Sequence, residues 1–130
     1  MEETMKKRIL IADDEECIRS TFSDFLVGGG YQVATAETLP DCLAKMREDS
    51  FDLLFLDVGF GIDNGIESIE EIKTLQPNCS VVIITGSLNS TGITSARHYG
   101  AEDYLVKPVR QPSLLYIAQK ILADNTQVRQ

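Results

Sequence analysis

The chain has 130 residues, 43% of them apolar, which suits one domain with a proper core and leaves little room for two. Its formal net charge of −8 argues against direct binding of nucleic-acid phosphates or anionic lipid, and no apolar run nears the ~20 residues that span a bilayer. The charged start, Met1 to Arg8, lacks a signal peptide's apolar segment. Cys17, Cys42 and Cys79 have no metal-like spacing and read as small core residues in a reducing, cytoplasmic setting.

Ile9-Leu10-Ile11-Ala12 predicts a buried strand that ends in carboxylates: Asp13, Asp14, Glu15, Glu16. Ile18, Thr21, Phe22, Phe25 and Leu26 recur at three- and four-residue spacing and predict a helix with those positions inward. Gly28-Gly29-Gly30 ends it and supplies a left-handed cap. Tyr31 to Thr35 partly alternates, as an edge strand does. Thr38 is the expected N-cap of a second helix whose apolar face is Leu39, Cys42, Leu43 and Met46. Leu53-Leu54-Phe55-Leu56 reads as a strand buried on both faces, and it stops at Asp57. Gly59, Gly61, Asn64 and Gly65 then turn the chain.

Ile66, Ile69, Ile72 and Leu75 mark a third helix, closed before Pro77. Val81-Val82-Ile83-Ile84 is a run of β-branched residues, hence a strand, ending at Thr85-Gly86-Ser87. The fourth helix is weakly specified: Ser87, Asn89, Ser90, Thr91, Gly92 and Thr94 disfavour helix, and only Ile93, Ala96 and Tyr99 suggest a face. Tyr104-Leu105-Val106 is a short last strand that runs into Lys107-Pro108. Pro112 opens a final helix with Leu114, Leu115, Ala118, Ile121 and Leu122 inward, and Asp124 to Gln130 reads as a polar, fraying end. Strands alternating with helices predict an α/β fold, a parallel sheet covered on both faces.

In such a sheet all carboxyl ends share one edge, where ligands bind. Asp13, Asp14, Asp57, Thr85 and Lys107 all follow or close strands, so the fold gathers them. Crowded carboxylates repel, and a hard divalent cation resolves the repulsion. Mg²⁺ suits a site of few carboxylates because it keeps several waters. A lysine and a hydroxyl beside it make a phosphoryl-transfer environment, with Asp57 as nucleophile. Adjacent strand residues point oppositely, so one of Asp13 and Asp14 binds the metal directly and the other through water.

The segments Ile11-Ala12-Asp13-Asp14-Glu15, Leu54-Phe55-Leu56-Asp57-Val58, Gly65-Ile66-Glu67, Thr85-Gly86-Ser87, Gly100-Ala101-Glu102-Asp103-Tyr104 and Leu105-Val106-Lys107-Pro108 together resemble the receiver domain of bacterial two-component response regulators. The resemblance covers residues 1–124, leaving 125–130 as a polar tail or the start of a linker. It implies a flavodoxin-like, doubly wound sheet of five strands in the order 2-1-3-4-5, with five helices. It implies a signalling switch, not a turnover enzyme. Asp57 would take a phosphoryl group from a phosphohistidine of a sensor kinase or phosphotransfer protein, in a Mg²⁺-dependent reaction.

By position, Asp14 resembles the direct metal ligand, Asp13 the water-mediated one, and Gly59 the donor of a backbone carbonyl. Lys107 would pair with Asp57 and then with the phosphoryl group, across a cis bond to Pro108. Thr85 and Tyr104 resemble the switch pair that moves the face of the fourth helix, fifth strand and fifth helix. That face would control an output domain or a downstream protein, a phosphorylation-dependent homodimer being one form of output. Phe60 and Gly61 depart from the family's Met-Pro, which loosens the loop. Gly59 offers no shielding side chain, so the phosphate is expected to be labile.

Each residue has a bland explanation alone. His98 reads as a surface residue. Asp13 to Glu15 suit a helix N-terminus, Asp57 suits a loop, Thr85 suits a strand, and Lys107 suits solvent. Together they would need four coincidences at four strand ends. Two other function classes are weaker. An aspartate-nucleophile phosphatase needs a second carboxylate two residues after the nucleophile, where Gly59 stands. A flavin module needs a Ser/Thr/Gly phosphate cradle, where Asp13 to Glu16 would repel the phosphate.

Overall fold

The apolar runs become five parallel strands in a computed structural model that describes residues 6–58, 65–86 and 90–127. The strands are β1 (Arg8–Ala12), β2 (Gln32–Ala36), β3 (Leu53–Asp57), β4 (Ser80–Thr85) and β5 (Asp103–Val106). The helices between and after them are α1 (Glu16–Gly28), α2 (Leu39–Glu48), α3 (Gly65–Leu75), α4 (Ser90–Tyr99) and α5 (Gln111–Gln127). The sheet order is β2-β1-β3-β4-β5, the expected doubly wound arrangement. The order reverses between β1 and β3, so their carboxyl ends flank the crevice where such folds bind ligands. Ala12 lies opposite Leu56 in the register, which sets Asp13 beside Asp57.

Alternate strand residues face opposite layers. Leu10, Ala12, Leu54, Leu56, Val81 and Ile83 join Leu39, Cys42, Met46, Ile69, Ile72 and Ala96 on the side of α2, α3 and α4. Ile9, Ile11, Leu53, Phe55, Val82 and Ile84 join Phe22, Leu26, Leu114, Ile117, Ala118 and Leu122 on the side of α1 and α5. Each large side chain so buried contributes roughly 1.5–3 kcal/mol, which is why the central strands need no polar alternation. Phe22 meets Phe55 edge to face, with ring centroids 6.4 Å apart.

Local signals hold where they rest on backbone chemistry. Thr38 accepts a hydrogen bond from the Asp41 amide at 3.1 Å and caps α2. Gly30 takes the left-handed conformation (φ 99°) after α1. Gly100 does the same (φ 123°) after α4, and a side chain there would meet the Lys73 stem at 3.1 Å.

Three expectations change. Thr21 faces solvent, because the inward stripe of α1 is narrow and centres on Phe22 and Leu26. Cys17 is exposed in the first turn of α1, while Cys42 and Cys79 are buried as expected. The end that was expected to fray from Asp124 is helical as far as Gln127. Among the described residues no helix is long and apolar enough to cross a membrane.

Candidate functional site

At the carboxyl edge Asp13, Asp14 and Asp57 each place a carboxylate oxygen within 4.8 Å of the others. Asp57 closes β3 and is buried, Asp13 just beyond β1 is wholly buried, and Asp14 is exposed. The two neighbours just past β1 thus differ in setting, one buried and one exposed.

Lys107, just past β5, reaches into the cluster. Its Nζ lies 3.2 Å from Asp13 Oδ2, 3.6 Å from Asp57 Oδ2 and 3.6 Å from Glu15 Oε1. The pairing expected with Asp57 is present, but Asp13 is nearer. The bond from Lys107 to Pro108 is cis. Burial pulls the lysine's proton affinity down, and the carboxylates of Asp57 and Asp13 more than offset it, so its pKa is raised above 10.5.

Asp13 is held from several sides. Its amide donates to the Ala36 carbonyl at 3.1 Å, and its Oδ1 accepts from the Glu15 amide at 2.8 Å. Its carbonyl accepts from Arg19 Nη1 at 2.8 Å. Oδ2 is buried and accepts no aligned hydrogen bond; the lysine at 3.2 Å is an ion pair out of line. Burial first, with Asp57 adding to it, raises the Asp13 pKa above 3.8 despite the Glu15 amide and Lys107.

These features fit a hard cation. All three candidate ligands are carboxylates, one buried oxygen lacks a proper donor, and one ammonium faces three acids. A divalent ion would supply the missing charge and bind oxygen without needing a proton.

The model of the response regulator receiver domain matches residues 9–119. The chain belongs to that family. The receiver is 40% identical over 124 residues to the alginate biosynthesis transcriptional regulatory protein AlgB of Pseudomonas aeruginosa; the match covers 94% of this chain and 28% of AlgB. It therefore spans little more than a quarter of that relative's length.

Among solved structures, a CheY-like receiver domain protein from Methanospirillum hungatei superposes with a TM-score of 0.87 at 30% identity, covering 95% of this chain and 99% of that one. A Burkholderia pseudomallei response regulator with a phosphorylated aspartic acid, a calcium ion and citrate matches with a TM-score of 0.81 at 26% identity, covering 96% of this chain and 76% of that one.

Other expected receiver residues fall around the same edge. Thr85 closes β4 half-exposed, opposite Val106, and its carbonyl accepts the Lys107 amide at 2.8 Å. Tyr104 is half-buried in β5, packed on the core under α2, α3 and α4. Gly59, Phe60, Gly61 and Ser87, with the expected carbonyl ligand and phosphate lability, lie outside the described residues. His98 is on the surface against the Tyr99 ring, away from any acid cluster among the described residues.

Two contacts escaped the sequence. Glu15 stands in the acid run after β1 with no site role of its own in the sequence, yet its carboxylate meets Lys107 and its amide fixes Asp13. Arg19 carries no motif that marks it, although it lies within the first turns of α1, where a long side chain can fold back over the helix end onto the residue after β1.

Proposed function

We propose that Asp57 is the phosphoacceptor of a Mg²⁺-dependent signalling switch. The observation that carries this is the convergence of Asp13, Asp14 and Lys107 on the buried Asp57. Asp57 attacks the phosphorus of a phosphohistidine in line. The P–N bond breaks, an acyl phosphate forms on Asp57, and the imidazole leaves with the bond's electron pair and picks up a proton. Hydrolysis reverses the gain by attack of water on phosphorus. The domain thus catalyses only its own phosphorylation and dephosphorylation.

Lys107, released from the carboxylates it bridges, neutralises a phosphoryl oxygen. Asp14 would hold Mg²⁺ directly, with Asp13 through water and the Gly59 carbonyl as further ligands, and the ion would supply positive charge for the phosphoryl oxygens. Thr85 donates its hydroxyl to the phosphoryl group, and Tyr104 follows it inward. The face of α4, β5 and α5 then passes the change to an output domain or a downstream protein. A histidine kinase or phosphotransfer protein in the cytoplasm is the donor.

The test is labelling with acetyl phosphate and MgCl₂, read by intact mass. Wild type should gain one phosphoryl group that EDTA prevents. Asp57→Asn should gain none. Equal labelling of the two proteins would remove Asp57 from the role.

A further inference from the structure

We propose that Arg19 is a positioning residue that fixes Asp14 for metal binding. The inference rests on the metal site proposed above and extends it to a residue outside the acid cluster.

The β1–α1 turn is closed twice by one residue. The Arg19 amide donates to the Glu15 carbonyl at 3.1 Å, and its guanidinium Nη1 donates to the Asp13 carbonyl at 2.8 Å. Asp13 has other restraints: Ala36 holds its amide, Glu15 holds Oδ1, and Lys107 faces Oδ2. Asp14 has none of these. It is exposed, and its carboxylate makes no hydrogen bond or ion pair among the described residues. Its direction is therefore set by the backbone.

The peptide unit joining Asp13 to Asp14 is planar, so fixing the Asp13 carbonyl fixes where the Asp14 Cα lies and how its side chain leaves the chain. Arg19 holds that carbonyl through a charge-assisted hydrogen bond, one of the stronger kinds. The same bond engages the Asp13 carbonyl with the guanidinium, so that oxygen does not compete for a cation. Without it, the peptide plane can rock, and an exposed acid that must meet two buried ones within 4.8 Å spends less time in register.

The test compares wild type with Arg19→Met, which keeps the apolar stem without a donor, and Arg19→Lys, which keeps a cationic donor. Two readouts are needed: Mg²⁺ affinity by calorimetry on the unphosphorylated protein, and the Mg²⁺ dependence of acetyl phosphate labelling. Arg19→Met should weaken Mg²⁺ binding about tenfold and raise the half-saturating Mg²⁺ equally, as loss of a supporting contact to a ligand does. Its labelling rate at saturating Mg²⁺ should stay within about twofold of wild type, because the nucleophile and Lys107 are untouched. Arg19→Lys should recover most of the affinity.

An unchanged affinity in Arg19→Met overturns the inference, as does a fall in the saturating rate alone or a failure of Arg19→Lys to recover. If Arg19→Met does not fold, Arg19→Lys decides: Mg²⁺ affinity as weak as that of Asp14→Asn overturns the inference, and near-wild-type affinity supports it. Wild type that binds no Mg²⁺ removes the metal site itself, and that outcome is visible before any variant is made.

Discussion

The two edges of the sheet use the same kinds of side chain to opposite ends. At the amino edge the polar groups are matched. Gln76 receives the Phe51 amide on its oxygen and donates to the carbonyls of Met46 and Asp49, tying α3 to the end of α2 and the start of β3. Asp52 accepts the Arg8 amide. Glu102 accepts the Val81 amide and meets Lys73, which also donates to the Cys79 carbonyl. At the carboxyl edge, acids outnumber the one ammonium among them, and Asp13 Oδ2 is the single buried side-chain oxygen or nitrogen among the described residues with no aligned hydrogen bond. A matched edge holds strands in register. An unmatched one stores an electrostatic cost that a cation can relieve.

The contrast can be broken by substitution at either edge. Lys107→Ala should cost the most, about 3 kcal/mol in urea without Mg²⁺, because it strands buried carboxylates without a counter-charge. Mg²⁺ should return part of that loss. A neutral outcome would mean that the acids are already discharged. Gln76→Ala should cost about 2 kcal/mol, since it removes three hydrogen bonds to backbone groups, one of them the amide of the buried Phe51. Its labelling rate under folded conditions should match wild type, which separates scaffold from site.

The packing between the sheet and α2, α3 and α4 also predicts a pH dependence. Burial pushes the thiols of Cys42 and Cys79 up to about 12 from an ordinary 9.0. Between these values the unfolded chain loses thiol protons that the folded one keeps, so stability falls as pH rises above 9. The slope should reach up to about 1.4 kcal/mol per pH unit for each thiol. Urea midpoints that stay level from pH 8 to 10, with no response to Cys79→Val, would contradict it.

The smallest effect has the opposite sign. Asp13→Asn should stabilise the metal-free protein by about 1 kcal/mol, by removing an ill-paired buried acid, while weakening Mg²⁺ binding. Destabilisation without metal would show that the Lys107 pair already satisfies Asp13.

Much of this was legible in the residues. Strand cores without polar alternation announced a covered parallel sheet, and carboxylates at Asp13, Asp14 and Asp57 marked its carboxyl edge because strand ends converge there whatever the loops do. Spacing said less where the outcome hangs on helix phase or on long side chains. Thr21 has the same spacing from Ile18 as an inward residue, yet it falls off a stripe centred on Phe22 and Leu26. Cys17 looks like core by composition but sits on the first turn of α1. The reach of Arg19 back to Asp13 and of Gln76 across to α2 depends on how helices seat on the sheet, which no local pattern encodes.

The most direct measurement is the urea midpoint of wild type with and without millimolar Mg²⁺. A carboxyl edge left incomplete by its own side chains predicts a higher midpoint with Mg²⁺ at unchanged slope, and a smaller gain in Asp13→Asn and Asp57→Asn. Identical midpoints in wild type, with and without the ion, would contradict the account.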